Sequence, residues 1–139
     1  MDNLFIIIKI LLLIFLLGIP FIFLRFARKR KSKYKFGIYF LVSIFVTIIF
    51  VFVSAWFSNV SDETLLNHYG YNFDALSDTE RYKNISNKNL VKVYVLERNY
   101  LGIGWPLKAF FGSAIFIPYS LLVFIIGFFL VRRKTKLNP

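Results

Sequence analysis

Arg25-Phe26-Ala27-Arg28-Lys29-Arg30-Lys31-Ser32-Lys33-Tyr34-Lys35 contains seven cations and no anion. It separates two apolar runs, residues 4–24 and 36–57, of 21 and 22 residues, and a third run of 25 follows at 107–131. Each can cross a hydrocarbon core, which takes about 20 helical residues, and inside lipid a lone segment satisfies its backbone only as a helix. The sequence therefore predicts an all-α integral membrane protein, one membrane domain of 139 residues with three transmembrane helices.

Charge placement predicts the topology. The basic hinge, residues 25–35, and the tail, residues 132–139 with Arg132, Arg133, Lys134 and Lys136, both abut the end of an apolar run. Residues 58–106 carry six acids and five bases, a net charge of −1. The positive-inside rule makes hinge and tail cytoplasmic and puts the N-terminus and the loop outside. Trp56 ends the second run and Trp105 precedes the third, which would place both indoles at one outer interface. The net charge of +11 does not point to nucleic acid, because its clusters lie at membrane exits. The hinge is expected among anionic headgroups, where each Lys or Arg contributes about 1 kcal/mol. Abundant Ile, Phe, Lys and Asn fit a low-GC bacterial genome and hence a multi-pass protein of the cytoplasmic (inner) membrane.

Residues 4–24 lack a basic n-region and a small-residue cleavage site, so they read as a retained reverse anchor. Lys9 lies within this run. No acid lies in any of the three runs, so its ammonium is expected to snorkel to the headgroups. Pro20 and Pro118 are expected to kink their helices. In the second run Ser43, Thr47 and Ser54 share an arc of about 40° at about 100° per residue. Ala109, Ser113, Ser120 and Gly127 form a comparable small-residue stripe in the third. Such faces let helices approach closely, so the second and third helices are expected to pack through them.

The loop, residues 58–106, is too short to be stable alone and should lean on the membrane or a partner. Residues 61–69 read as a short helix closed by Gly70, and Ser77-Asp78-Thr79-Glu80 as a capping box opening another. Residues 90–100 fit strand and helix periods alike, with a lean towards helical or irregular. Leu101-Gly102-Ile103-Gly104-Trp105-Pro106 reads as a shaped turn where the chain returns to the membrane.

Reactive chemistry is sparse. There is no cysteine, and His68 is the sole histidine. Glu63 and Asn67, four apart, share a face of the same helix, with Asp74 nearby in sequence, too thin a donor set for zinc or calcium. No carboxylate, histidine or cysteine lies in the runs to act as base or nucleophile, so neither catalysis nor a cofactor is expected. The loop is rich in aromatic groups, favoured at interfaces, which makes Tyr69, Tyr71, Phe73, Tyr82, Tyr94 and Tyr100 the candidate contacts for a partner protein. The expected function is a non-enzymatic membrane protein that binds a membrane or extracytoplasmic partner through this loop and its helix faces: an accessory subunit, a regulator or an immunity-type protein. The alternative is a self-assembling, homo-oligomeric pore. The layout resembles that of some phage holins in topology alone, and the long loop departs from it.

Overall fold

The computed structural model describes residues 1–29 and 34–137. They form five helices: α1 (Asp2–Lys29), α2 (Lys35–His68), α3 (Asp78–Arg81), α4 (Leu90–Leu101) and α5 (Trp105–Leu137). Among the described residues there is no strand. α1, α2 and α5 are each long and apolar enough to cross a membrane. Their outward faces carry Ile7, Ile14, Phe21, Leu41, Phe45 and Ile115, all exposed, a surface suited to lipid.

The largest departure from expectation is the length of α2. The chain has no Gly or Pro between Gly37 and Gly70, so nothing ends the helix where its hydropathy falls. α2 runs through the expected break near residue 58 to His68, and the short helix foreseen at 61–69 is its last two turns. It ends where Gly70 takes a φ of +85°, with the amides of Tyr69 and Tyr71 donating to Leu65 and Leu66 carbonyls at 3.0 Å. A side chain at Gly70 would also crowd the Asn84 carbonyl, at 3.1 Å.

α2 is the central element, packing against α1, α4 and α5. Phe15 and Phe50 stack at 6.0 Å between α1 and α2, and Phe40 meets Phe124 edge-on at 5.4 Å between α2 and α5. Leu16, Ile19, Val51 and Ala109 form one buried cluster of the bundle, and Leu24, Val123 and Phe124 another. α1 and α5 run parallel and meet at Leu24 and Gly127. A Cβ at Gly127 would lie 2.6 Å from Leu24 Cδ1, so glycine is what lets these two helices close. α1 and α5 continue through Pro20 and Pro118 without a break.

We call the end of the bundle that holds Met1 and residues 69–104 the loop side, and the other the hinge side. On the loop side, residues 90–101 are helical, because Leu90, Val93, Leu96 and Tyr100 recur at helical spacing on the face turned to α2. Ser77 sits at the N-cap of α3, but no capping box forms: Ser77 Oγ lies 3.1 Å from Thr79 Oγ1 and makes no bond to the backbone of the helix. Neither Gly102 nor Gly104 takes a positive φ; the turn closes through Gly102 N–H to the Arg98 carbonyl and Leu107 N–H to the Gly104 carbonyl.

Candidate functional site

The continuation of α2 turns residues 58–106 from a tethered loop into a folded region. Leu66 and Val93 are fully buried, and with Tyr71 and Ile85 they form a core sheathed by Tyr69, Phe73, Tyr82, Leu90, Leu96 and Tyr100. The region leans, as its length required, but on its own chain. Rings pack edge to face: Tyr71 against Phe73 at 4.9 Å and against Tyr82 at 5.9 Å, and Phe73 against Tyr100 at 5.5 Å.

One carboxylate organises this cluster. Glu97, on the inner face of α4, accepts the Tyr71 hydroxyl on Oε1 at 2.6 Å and the Tyr82 hydroxyl on Oε2. Burial, and then the bond to Glu97, push the Tyr71 phenol up to about 12 and raise Tyr82 in the same direction. Both phenols are therefore neutral donors at ordinary pH, and both Glu97 oxygens are occupied.

Two further polar contacts fasten α1 to this region. Lys9 Nζ lies 2.8 Å from Asp62 Oδ1, and the Asp62 side chain is only 4% exposed against 34% for Lys9. The snorkelling expected of Lys9 is thus corrected: it has an acid partner, on the part of α2 that lies beyond the apolar run. At the first turn of α1, Asp2 Oδ2 accepts the Tyr69 hydroxyl and the Lys92 ammonium, the latter at 3.1 Å. These bonds raise the Tyr69 phenol and the Lys92 ammonium, in both cases first through the hydrogen bond to Asp2. Asp2, Lys9, Asp62, Tyr69 and Lys92 border a cleft of about 400 Å³ between α1, α2 and α4.

The expected contact residues fall into two groups. Tyr71 is buried, and Tyr69, Phe73, Tyr82 and Tyr100 are half-buried in the region's own core; Tyr94 alone is exposed, at 52%, its ring leaning on Tyr82 at 4.9 Å. The surplus of aromatic groups thus has a structural use within the chain. The outward face of α4 carries Val91, Tyr94, Val95 and Leu101, all more than half exposed, with Arg98 among them, and Val91 and Val95 also line the cleft beside α1. Sequence reading missed this face because residues 90–100 had no settled period from which to separate inside from outside.

On the hinge side, Arg25, Arg28 and Lys29 are exposed at the end of α1, and Lys35 opens α2. Arg30, Lys31 and Lys33 lie outside the described residues. Trp56 is exposed and Trp105 half-buried, both towards the loop side. Ser43, Thr47, Ala109, Ser120 and Gly127 are buried in the bundle. Ser54 and Ser113 donate to the carbonyls one turn back, Phe50 at 2.7 Å and Ala109 at 2.9 Å. The hydroxyls of Ser43, Thr47 and Ser120 have no hydrogen-bond partner among the described residues. Gly127 faces Leu24 of α1 rather than α2.

His68 is exposed at the end of α2, its ring 5.5 Å from that of Tyr69. Among the described residues no three acid or histidine side chains converge to hold a metal ion. The chemistry the loop-side region displays is cohesion: phenols, carboxylates and ammonium groups joined to one another. No family model, curated protein or solved structure matches this chain.

Proposed function

We propose that the chain is a non-enzymatic protein of the bacterial cytoplasmic membrane, with the N-terminus and loop-side region outside and the hinge and C-terminus in the cytoplasm. It binds another membrane or extracytoplasmic protein, as an accessory subunit, regulator or immunity-type protein. The observation that carries this reading is the outward face of α4. A helix outside the spans, fastened to α2 by a buried core, turns Val91, Tyr94, Val95 and Leu101 away from that core. Apolar groups held in place on such a platform are what a partner surface requires, since little ordering remains to be done on binding. The five aromatic residues inside the core act on the partner only by shaping that platform.

The test is photo-crosslinking in the native host from a benzophenone amino acid at Tyr94, with Phe45 on the lipid-facing side of α2 as comparison. A discrete protein adduct from Tyr94 and none from Phe45 is expected. Adducts of chain with chain from both positions, together with arrested growth and ion release on induction, would replace this reading with the self-assembling pore. Orientation is checked separately: the chain has no cysteine, so Asn87→Cys should react with an impermeant maleimide from outside the cell.

A further inference from the structure

Away from the α4 face, a second cleft of about 390 Å³ opens between α1 and α5, floored by α2. Towards the hinge side, the Tyr119 hydroxyl of α5 donates to the Leu17 carbonyl of α1 at 2.9 Å. Its walls include Leu13, Leu16, Val51 and Phe116. Lys9 and Lys108 line it towards the loop side, and no acid does. Lys9 already has Asp62, whereas Lys108 donates to the carbonyl oxygen of Asn99 and, among the described residues, meets no carboxylate. Leu13 is half exposed on one wall, so the cleft opens sideways to where lipid lies.

We infer that this cleft is a binding site for one anionic phospholipid of the loop-side leaflet, an acyl chain lying against Leu13 and Phe116 and the phosphate meeting Lys108 and Lys9. Charge selects this occupant. A zwitterionic lipid would fill the apolar walls but leave Lys108 without a net counter-charge. The site does not depend on a protein partner, and it is separate from the hinge: Lys9 and Arg25 are 16 residues apart on one helix, about 24 Å.

The test uses Trp105, three residues before Lys108, as the reporter, in a Trp56→Phe background that leaves it the only tryptophan. The full chain is reconstituted in nanodiscs, and quenching by brominated-chain phosphatidylglycerol is compared with that by brominated-chain phosphatidylcholine. One lysine at the headgroup level implies a preference for phosphatidylglycerol of about fivefold. Lys108→Gln should bring the ratio to about one, and Lys108→Arg should keep it. Ser58→Asp, which adds a carboxylate to the cleft wall, should also abolish it, providing a second route if the glutamine variant does not fold. A ratio of about one in the Trp56→Phe protein would overturn the inference, as would a preference that survives both Lys108→Gln and Ser58→Asp. So would loss of the preference on adding inorganic phosphate equimolar with the lipid, which would make the site one for the free ion.

Discussion

The spanning bundle and the loop-side region are built from one continuous chain and share α2, yet they hold together by different means. In the bundle the contacts are shape: Gly127 against Leu24, Ala109 among Leu16, Ile19 and Val51, and the buried hydroxyls of Ser43, Thr47 and Ser120, which have no partner among the described residues. In the loop-side region the contacts are a hydrophobic core with its polar groups engaged: Tyr71 and Tyr82 on Glu97, Tyr69 and Lys92 on Asp2, Lys9 on Asp62. The solvent accounts for the difference. Lipid tails are as apolar as leucine and drive no hydrophobic association between helices, so close packing is what remains. Water drives Leu66 and Val93 inward at about 25 cal/mol per Å² and penalises every polar group left unpaired behind them.

The contrast can be broken most severely at the join. Asp62→Ala leaves Lys9 without its counter-charge; because Lys9 is a third exposed, the cost belongs at the lower end for a broken buried pair, about 3 kcal/mol. Replacing both by leucine should recover most of that loss. Detergent unfolding followed by circular dichroism measures both, and a double variant as unstable as Asp62→Ala would show that the pair matters for more than charge.

Next in size, Gly127→Val drives a branched side chain into Leu24 and should cost about 2 kcal/mol, with loss of α1–α5 contact in a cysteine crosslinking assay. The loop-side region should keep its near-ultraviolet tyrosine signal in that variant. If that signal collapses too, the two regions are not separable.

A smaller effect is expected at Glu97→Gln, where both phenols lose a charged acceptor, one keeping a neutral amide oxygen and the other meeting an amide N–H, at about 1.5 kcal/mol. The same bonds set an alkaline limit. Because folding raises the Tyr71 phenol to about 12, its contribution is complete below the ordinary tyrosine value of about 10 and is lost as pH rises through about 12. Absorbance at the tyrosinate band, followed with pH, should show late ionisation of these phenols in the native protein and earlier ionisation in Glu97→Gln.

The smallest effect belongs to the bundle. Thr47→Val removes a buried hydroxyl that has no partner among the described residues and should change stability by no more than about 0.5 kcal/mol in either direction. A loss of about 2 kcal/mol would mean that the seam holds a hydrogen bond, and the bundle would then resemble the loop side in kind.

Much of the spanning part was legible from hydropathy, because a bilayer imposes length and apolarity on each segment. What hydropathy could not locate was the end of α2, since a helix stops at a breaker and not where its side chains become polar. The absence of Gly and Pro from residue 38 to residue 69 was the available signal. Asp62 was overlooked as a partner of Lys9 for the same reason: once the helix was ended near residue 58, the acid appeared to belong to a separate element. The aromatic groups were legible as a cluster but not as to which way they face, because tyrosine suits a small core and a partner surface equally well. Glu97 was counted as one acid in a charge balance, and only its distance to Tyr71 reveals its use.

The central claim is that the loop-side region folds on the continuation of α2 by itself, leaving the outward face of α4 for a partner. Hydrogen exchange on the purified chain in nanodiscs tests it most directly. Slow exchange over residues 62–71 and 90–101, lost together in Leu66→Ala while residues 109–123 stay protected, is the result expected. Fast exchange throughout residues 69–101 in the isolated protein would contradict it, making the region a segment that folds only on its partner and returning Tyr69, Tyr71, Phe73, Tyr82 and Tyr100 to the interface.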